Sequence, residues 1–238
     1  MIVDKKTYHK LRKWLLIGIL FSVMTVIGGE MPLGWTVTPS NDDPVKAMLM
    51  GYANISLQQM AAGVLFGGIG ISMQYYGYKA IAEIVRLGNN QKSAALIDLG
   101  AKAIAGLGGI VHILCVALMF ILKSEASQGN DLMSENVMNF TLWLVLPITV
   151  VFMLAYLPMT IAMMISIGRG KTLFPKAALF LNPMFAKILF NVIAGIAPNT
   201  ELINGIRMSN MGLGSLLTFV GLLLLLISHH KKNPQPDL

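Results

Sequence analysis

The chain has 238 residues, of which 55% are hydrophobic and only 12% charged, and its mean hydropathy is +0.67. Soluble domains carry about twice that share of charge, so a water-soluble domain is excluded by composition. The net charge of +7 does not point to nucleic acid, because the basic residues gather beside the ends of apolar runs. A lone cysteine, Cys115, excludes a disulfide framework and reads as a small apolar residue.

Six apolar runs follow in order, at residues 15–34, 54–78, 94–122, 138–167, 173–197 and 211–228. Each reaches the roughly 18–20 residues that an α-helix needs to cross about 30 Å of hydrocarbon. Within that layer only hydrogen bonds inside the segment satisfy the backbone. The expected fold is all-α: one polytopic transmembrane helix bundle over residues 1–238, with six membrane-spanning helices.

The first run has the outline of a signal peptide, with basic residues before it and Gly28-Gly29 near its end, but its length reads as a retained helix. Trp14 and Trp35 stand 21 residues apart, about 31 Å along a helix, which suits one aromatic at each membrane surface. Glu30 lies about a turn below Trp35. A carboxylate at that depth serves either a function or the capping of a neighbouring helix.

The second run opens with Asn54, Gln58 and Gln59, continues through Gly63, Gly67, Gly68 and Gly70, and closes on Tyr75, Tyr76 and Tyr78 as anchors at the other surface. The third is also glycine-rich and holds His112 at mid-span, with Asp98 and Lys102 paired at i,i+4 near its start. Small residues let helix backbones approach closely, so the second and third helices are expected at the bundle centre. The fourth run carries Trp143 near one end, with Pro147 and Pro158 inside it, and the fifth carries Pro183; each proline is expected to kink its helix. Lys187 sits mid-span in the fifth run with Asn191 one turn on, and requires an acid, a carbonyl or a watery cavity. Glu30 is its expected partner. Residues 198–214 read as a short helix or loop on the outer surface, and the leucines 222–226 of the sixth run as lipid-facing.

Charge orders these runs. The N-terminal segment, the second and fourth loops and the C-terminal tail hold 13 basic residues, against three in the other loops (Lys46, Lys123 and Arg207). The first loop is acidic by contrast, with Asp42 and Asp43. The positive-inside rule then places both termini in the cytoplasm, which six crossings allow.

No cofactor is expected. A single intramembrane histidine falls short of the ligand set of a haem or a zinc site, and the 17 methionines lack the repeated spacing of a copper carrier. No phosphate-binding glycine loop, metalloprotease motif or nucleophile elbow occurs. Partners are expected among membrane lipids, a small or lipid-like ligand, and a second copy meeting the glycine-rich second and third helices.

The segments Gly29-Glu30-Met31-Pro32-Leu33-Gly34-Trp35, Tyr76-Gly77-Tyr78, Asn182-Pro183-Met184-Phe185 and Asn210-Met211-Gly212-Leu213-Gly214-Ser215 resemble an uncharacterised family of small bacterial six-helix integral membrane proteins. The resemblance implies a multi-pass protein of the bacterial inner membrane and brings no activity with it.

Three functional classes stay open. The first is a protein binding or transporting a small or lipid-like ligand in an outward-facing intramembrane cavity lined by Glu30, Gln58, Gln59, His112, Lys187 and Asn191. The second is an intramembrane enzyme acting on a lipid or isoprenoid, with Glu30 or His112 as general acid–base and Lys187 as electrostatic stabiliser. The third is a structural subunit whose glycine faces meet another protein.

Overall fold

The structure is a computed structural model that describes residues 3–39 and 43–233; Asp42 of the first loop lies outside them. The described residues form helices and no strand: α1 (Lys5–Gly34), α2 (Pro44–Ala53), α3 (Leu57–Leu87), α4 (Gln91–Ser127), α5 (Glu135–Gly168), a 3₁₀ turn (Lys176–Leu181), α6 (Pro183–Ile196), α7 (Glu201–Met208) and α8 (Asn210–Lys232). Of these, α1, α4, α5 and α8 are each long and apolar enough to cross a membrane, and α2 with α3, bent by 92° between them, makes a fifth when the pair is counted as one.

Four of the six apolar runs lie within continuous helices; the second begins in the bend before α3, and the fifth is interrupted. Asn182 breaks it. Its backbone is extended, its Oδ1 accepts from the Met184 N–H at 2.9 Å, and Pro183 occupies the first turn of α6, where a missing N–H costs nothing. The expected kink at Pro183 is therefore a helix start, and α6 has 14 residues, about 21 Å. Asn182 is fully buried and also donates Nδ2 to the Thr160 carbonyl at 3.0 Å, two residues beyond Pro158 in α5.

Two further expectations are corrected. Tyr78 does not anchor a membrane surface: α3 runs nine residues past it, through buried Ala80, Ile81, Ala82, Ile84 and Val85, and Tyr78 is 1% exposed. Nor does the leucine run of α8 face outward as a block. Leu222, Leu223 and Leu226 are buried because α8 lies against α1 on one side and α6 on the other; Leu224 alone in that run is largely exposed.

The helices alternate in direction. Tyr8 of α1 stacks on His230 of α8 with ring centroids 3.8 Å apart, so the two described ends of the chain share one end of the bundle. The loop after α3 reaches the same end, where Asn90 Nδ2 donates to Ser166 Oγ at 3.1 Å close to the loop after α5. The basic loops thus gather together. Asp4 caps α1 there, and hydrogen bonds from Thr7 hold its carboxyl below the ordinary carboxylate range.

At the opposite end, α7 folds onto the end of α1: Asn204 Nδ2 donates to the Thr36 carbonyl and to Asn199 Oδ1, both at 2.8 Å, and Asn199 Nδ2 donates to the Thr38 carbonyl at 2.7 Å. Within residues 198–214, Glu201–Met208 accordingly form a short helix, one of the two forms the sequence suggests, and Asn210 onward already belongs to α8.

Candidate functional site

Two cavities follow one another along α1 and α8. The outer one, a vestibule of about 600 Å³, opens at the end away from the chain termini between Leu33, Thr36, Tyr52, Asn204, Arg207 and Asn210. The inner one is a chamber of about 170 Å³ bounded by α1, α3, α4, α5 and α8. An engineered apolar cavity of about 150 Å³ accepts benzene, so the chamber suits a ligand of a few heavy atoms or one end of a longer molecule. On α1 about one helical turn separates the two, from Glu30 to Leu33, and on α8 they adjoin at Asn210 and Met211. Leu33 fills that gap, 1% exposed and packed with Ile55, Met60, Val116 and Met119.

The chamber collects polar groups from all five helices: Glu30, Gln74, Tyr78, His112, Cys115, Tyr156 and Ser215, set among Ile71, Ile104, Val111, Phe152 and Met211. It holds no lysine or arginine.

Glu30 is 6% exposed, and Oε2 accepts from the Gly212 N–H at 3.2 Å. Gly212 lies in the first turn of α8, where the N–H has no partner inside its own helix and the helix dipole favours a carboxylate. Glycine is required there, since a Cβ at 212 would run into the Glu30 carboxyl oxygen. Tyr78 and Ser215 hydroxyls are 2.7 Å apart, and Tyr156 lines the same chamber. Gln74 Nε2 donates to Thr25 Oγ1 at 3.3 Å.

His112 Nε2 lies 3.1 Å from the Gly63 carbonyl. A carbonyl only accepts, so Nε2 carries the proton and Nδ1 is left as an acceptor. Gly67 brings α3 close enough for this contact: a side chain there would meet the His112 ring, and a side chain at Gly29 of α1 would meet the Gly67 backbone.

Three π-helical turns border the chamber. Glu30 closes the turn Met24–Glu30, His112 binds the residue that opens Gly63–Gly67, and Ile104 and Gly108 bound Ile104–Gly108. Such turns add one residue to a helix and re-aim the side chains around it, and they are frequent at functional sites.

Of the six residues singled out by sequence, Glu30 and His112 meet in the chamber. Gln59 is engaged elsewhere: it forms a capping box with Ser56, and its Nε2 donates to the Pro32 and Trp35 carbonyls at 2.8 and 3.2 Å. Gln58 is exposed beside it. Asn191 is exposed on α6, accepting from Asn210 Nδ2 at 3.1 Å. Lys187 is half-buried on the α6 face that meets α8 near Gly214; its contact with Glu30 does not form, since the Gly212 N–H is the hydrogen-bond partner of that carboxylate among the described residues.

The chamber adds Gln74, Tyr78, Tyr156, Ser215 and Cys115, which sequence reasoning missed as site residues. Spacing carried part of the signal: Gln74 with Tyr78 at i,i+4 and His112 with Cys115 at i,i+3 each share one helix face.

No curated protein and no solved structure matches this chain. A family model matches residues 3–229, and the chain belongs to that family, described as a family of unknown function (DUF6796).

Proposed function

We propose that this is a multi-pass protein of the bacterial inner membrane that binds a small neutral or cationic molecule in the chamber between Glu30 and His112. The observation that carries the reading is the chamber itself: a carboxyl, an imidazole and two phenols line one cavity that contains no cationic side chain. An anionic ligand finds no counter-charge there, whereas a donor-bearing or cationic one finds acceptors. The vestibule provides the approach, and Leu33 stands between the two.

In this reading the chain crosses the bilayer six times. The 3₁₀ turn and α6 together reach about 30 Å along the chain, enough for the fifth crossing, with α8 as the sixth. The basic end, where Tyr8 and His230 stack, faces the cytoplasm. The acid–base enzyme reading keeps Glu30 and His112 but loses Lys187, which lies outside the chamber lining. The subunit reading is disfavoured by the glycines of α3: Gly63, Gly67 and Gly68 are already met by Leu33, His112 and Ile113 of the same chain.

Cys115 is the one cysteine of the chain and lines the chamber, so it reports directly on access. Full-length protein in detergent is treated with small methanethiosulfonates of equal size and opposite charge. The cationic reagent is expected to label Cys115 about tenfold faster than the anionic one, and a bulky maleimide to label it only after denaturation. Equal rates for both charges would remove the ligand class. No labelling by either small reagent before denaturation would remove the binding site.

A further inference from the structure

On the opposite half of α1 from the chamber, Lys10, Trp14, Ile17 and Phe21 follow at helical spacing along one face, with Lys13 beside them. Met73 and Tyr76 of α3 form the facing wall, and together they bound an open groove of about 510 Å³. The groove has a polarity. Its lysines sit towards the basic end of the bundle, and about 16 Å further along α1 its walls are wholly apolar.

The charge at its head is almost all positive. Lys10 Nζ lies 4.6 Å over the Trp14 ring, and Lys79 Nζ lies 5.1 Å over the same ring. Among the described residues the acid paired with these lysines is Glu83, 3.9 Å from Lys10 Nζ and also paired with Arg86. Lys10, Lys13 and Lys79 therefore outnumber their counter-charge.

We infer that this groove is a binding site for an anionic phospholipid, with the phosphate held between Lys10 and Lys13 and an acyl chain lying along Ile17, Phe21 and Met73. The inference rests on the membrane placement proposed above, and not on the chamber. Charge complementarity selects the occupant. A cationic head above an apolar trough matches a molecule that is anionic at one end and hydrocarbon below, and lysines at a membrane surface attract anionic lipid. The indole of Trp14 and phenol of Tyr76 sit at the junction, where amphipathic rings favour the headgroup level.

The test uses the full chain, recovered from carbonate-washed membranes and purified in detergent, with phosphatidylglycerol and phosphatidylcholine as probes and native mass spectrometry as readout. Phosphatidylglycerol is expected to be retained preferentially. Lys13→Gln and Lys10→Gln are each expected to lower that retention about fivefold, the effect of roughly one lysine on anionic lipid. Arg12→Gln removes the same charge from the neighbouring face of α1, outside the groove, and is expected to leave retention within about twofold. Lys13→Gln is read alongside its thermal midpoint, so that misfolding is seen separately. Equal retention of the two lipids, or equal loss from Arg12→Gln and Lys13→Gln, overturns the site. Release of the chain by the carbonate wash overturns the membrane placement instead.

Discussion

The chamber and the vestibule lie about one helical turn apart, and they use polar groups in opposite ways. In the vestibule the polar groups are bound to the backbone: Asn204 to the Thr36 carbonyl, Asn199 to that of Thr38, and Arg207 Nη2 to that of Ala194 at 2.6 Å. These bonds fasten α7 to α1 and close the C-terminal end of α6. In the chamber, Glu30 and His112 make one hydrogen bond each among the described residues, and both line the cavity with acceptor capacity to spare. The number of polar side chains is similar in the two places. What marks a site is hydrogen-bonding capacity that the fold leaves unfilled, since buried polar groups are otherwise satisfied.

Four substitutions or conditions sharpen that contrast. Gly67→Val has the largest expected effect, because the added atoms run into the buried His112 ring; a loss of about 3 kcal/mol or more, seen as the absence of monodisperse protein on size exclusion, is expected. Normal yield and an unchanged thermal midpoint would mean that α3 and α4 do not approach this closely at His112. Asn204→Ala comes next. Removing two donated bonds should cost about 1–3 kcal/mol in thermal unfolding while leaving the charge preference of Cys115 labelling intact. Loss of that preference would show that the vestibule, and not the chamber, sets selectivity.

Glu30→Gln is the converse. The amide keeps an oxygen for the Gly212 N–H, so stability should shift by less than about 1 kcal/mol while cationic and anionic reagents label Cys115 at nearly equal rates. A large stability loss with the preference retained would move Glu30 to the structural side of the comparison. The smallest effect belongs to Asp4. Its carboxyl is lowered in the folded state, so its contribution to the first turn of α1 is present above the ordinary value of 3.8 and is lost as pH falls through and below it. The Thr7 amide resonance should follow that titration, and Asp4→Asn should flatten it. The chamber should be indifferent to both.

Much of the helical layout was legible in the sequence because apolar length alone dictates it. The fifth run shows the limit of that rule. Its composition is as apolar as its neighbours, yet Asn182-Pro183 is a strong helix-start pair, and a buried asparagine that caps α6 and reaches Thr160 outweighs uniform hydropathy. Glu30 and His112 stood out because ionisable groups in an apolar run are costly. Lys187 stood out for the same reason, and Asn191 for sharing its helix face, but α6 lies against α8 rather than around the chamber, which hydropathy cannot reveal. Tyr78 and Tyr156 were hidden by the opposite effect: tyrosine is ordinary near a membrane surface, and only the continuation of α3 to Leu87 shows Tyr78 to be interior.

The Glu30–Gly212 bond joins residues 182 positions apart. At about 5–20 residues per second, the ribosome delivers the second partner roughly ten to forty seconds after the first. Throughout that interval a carboxyl sits in the nascent bundle without its backbone donor, and the chamber lacks one wall. Docking of α8 therefore completes both at once, so a chain truncated before Asn210 should inherit the outer helices and none of the recognition.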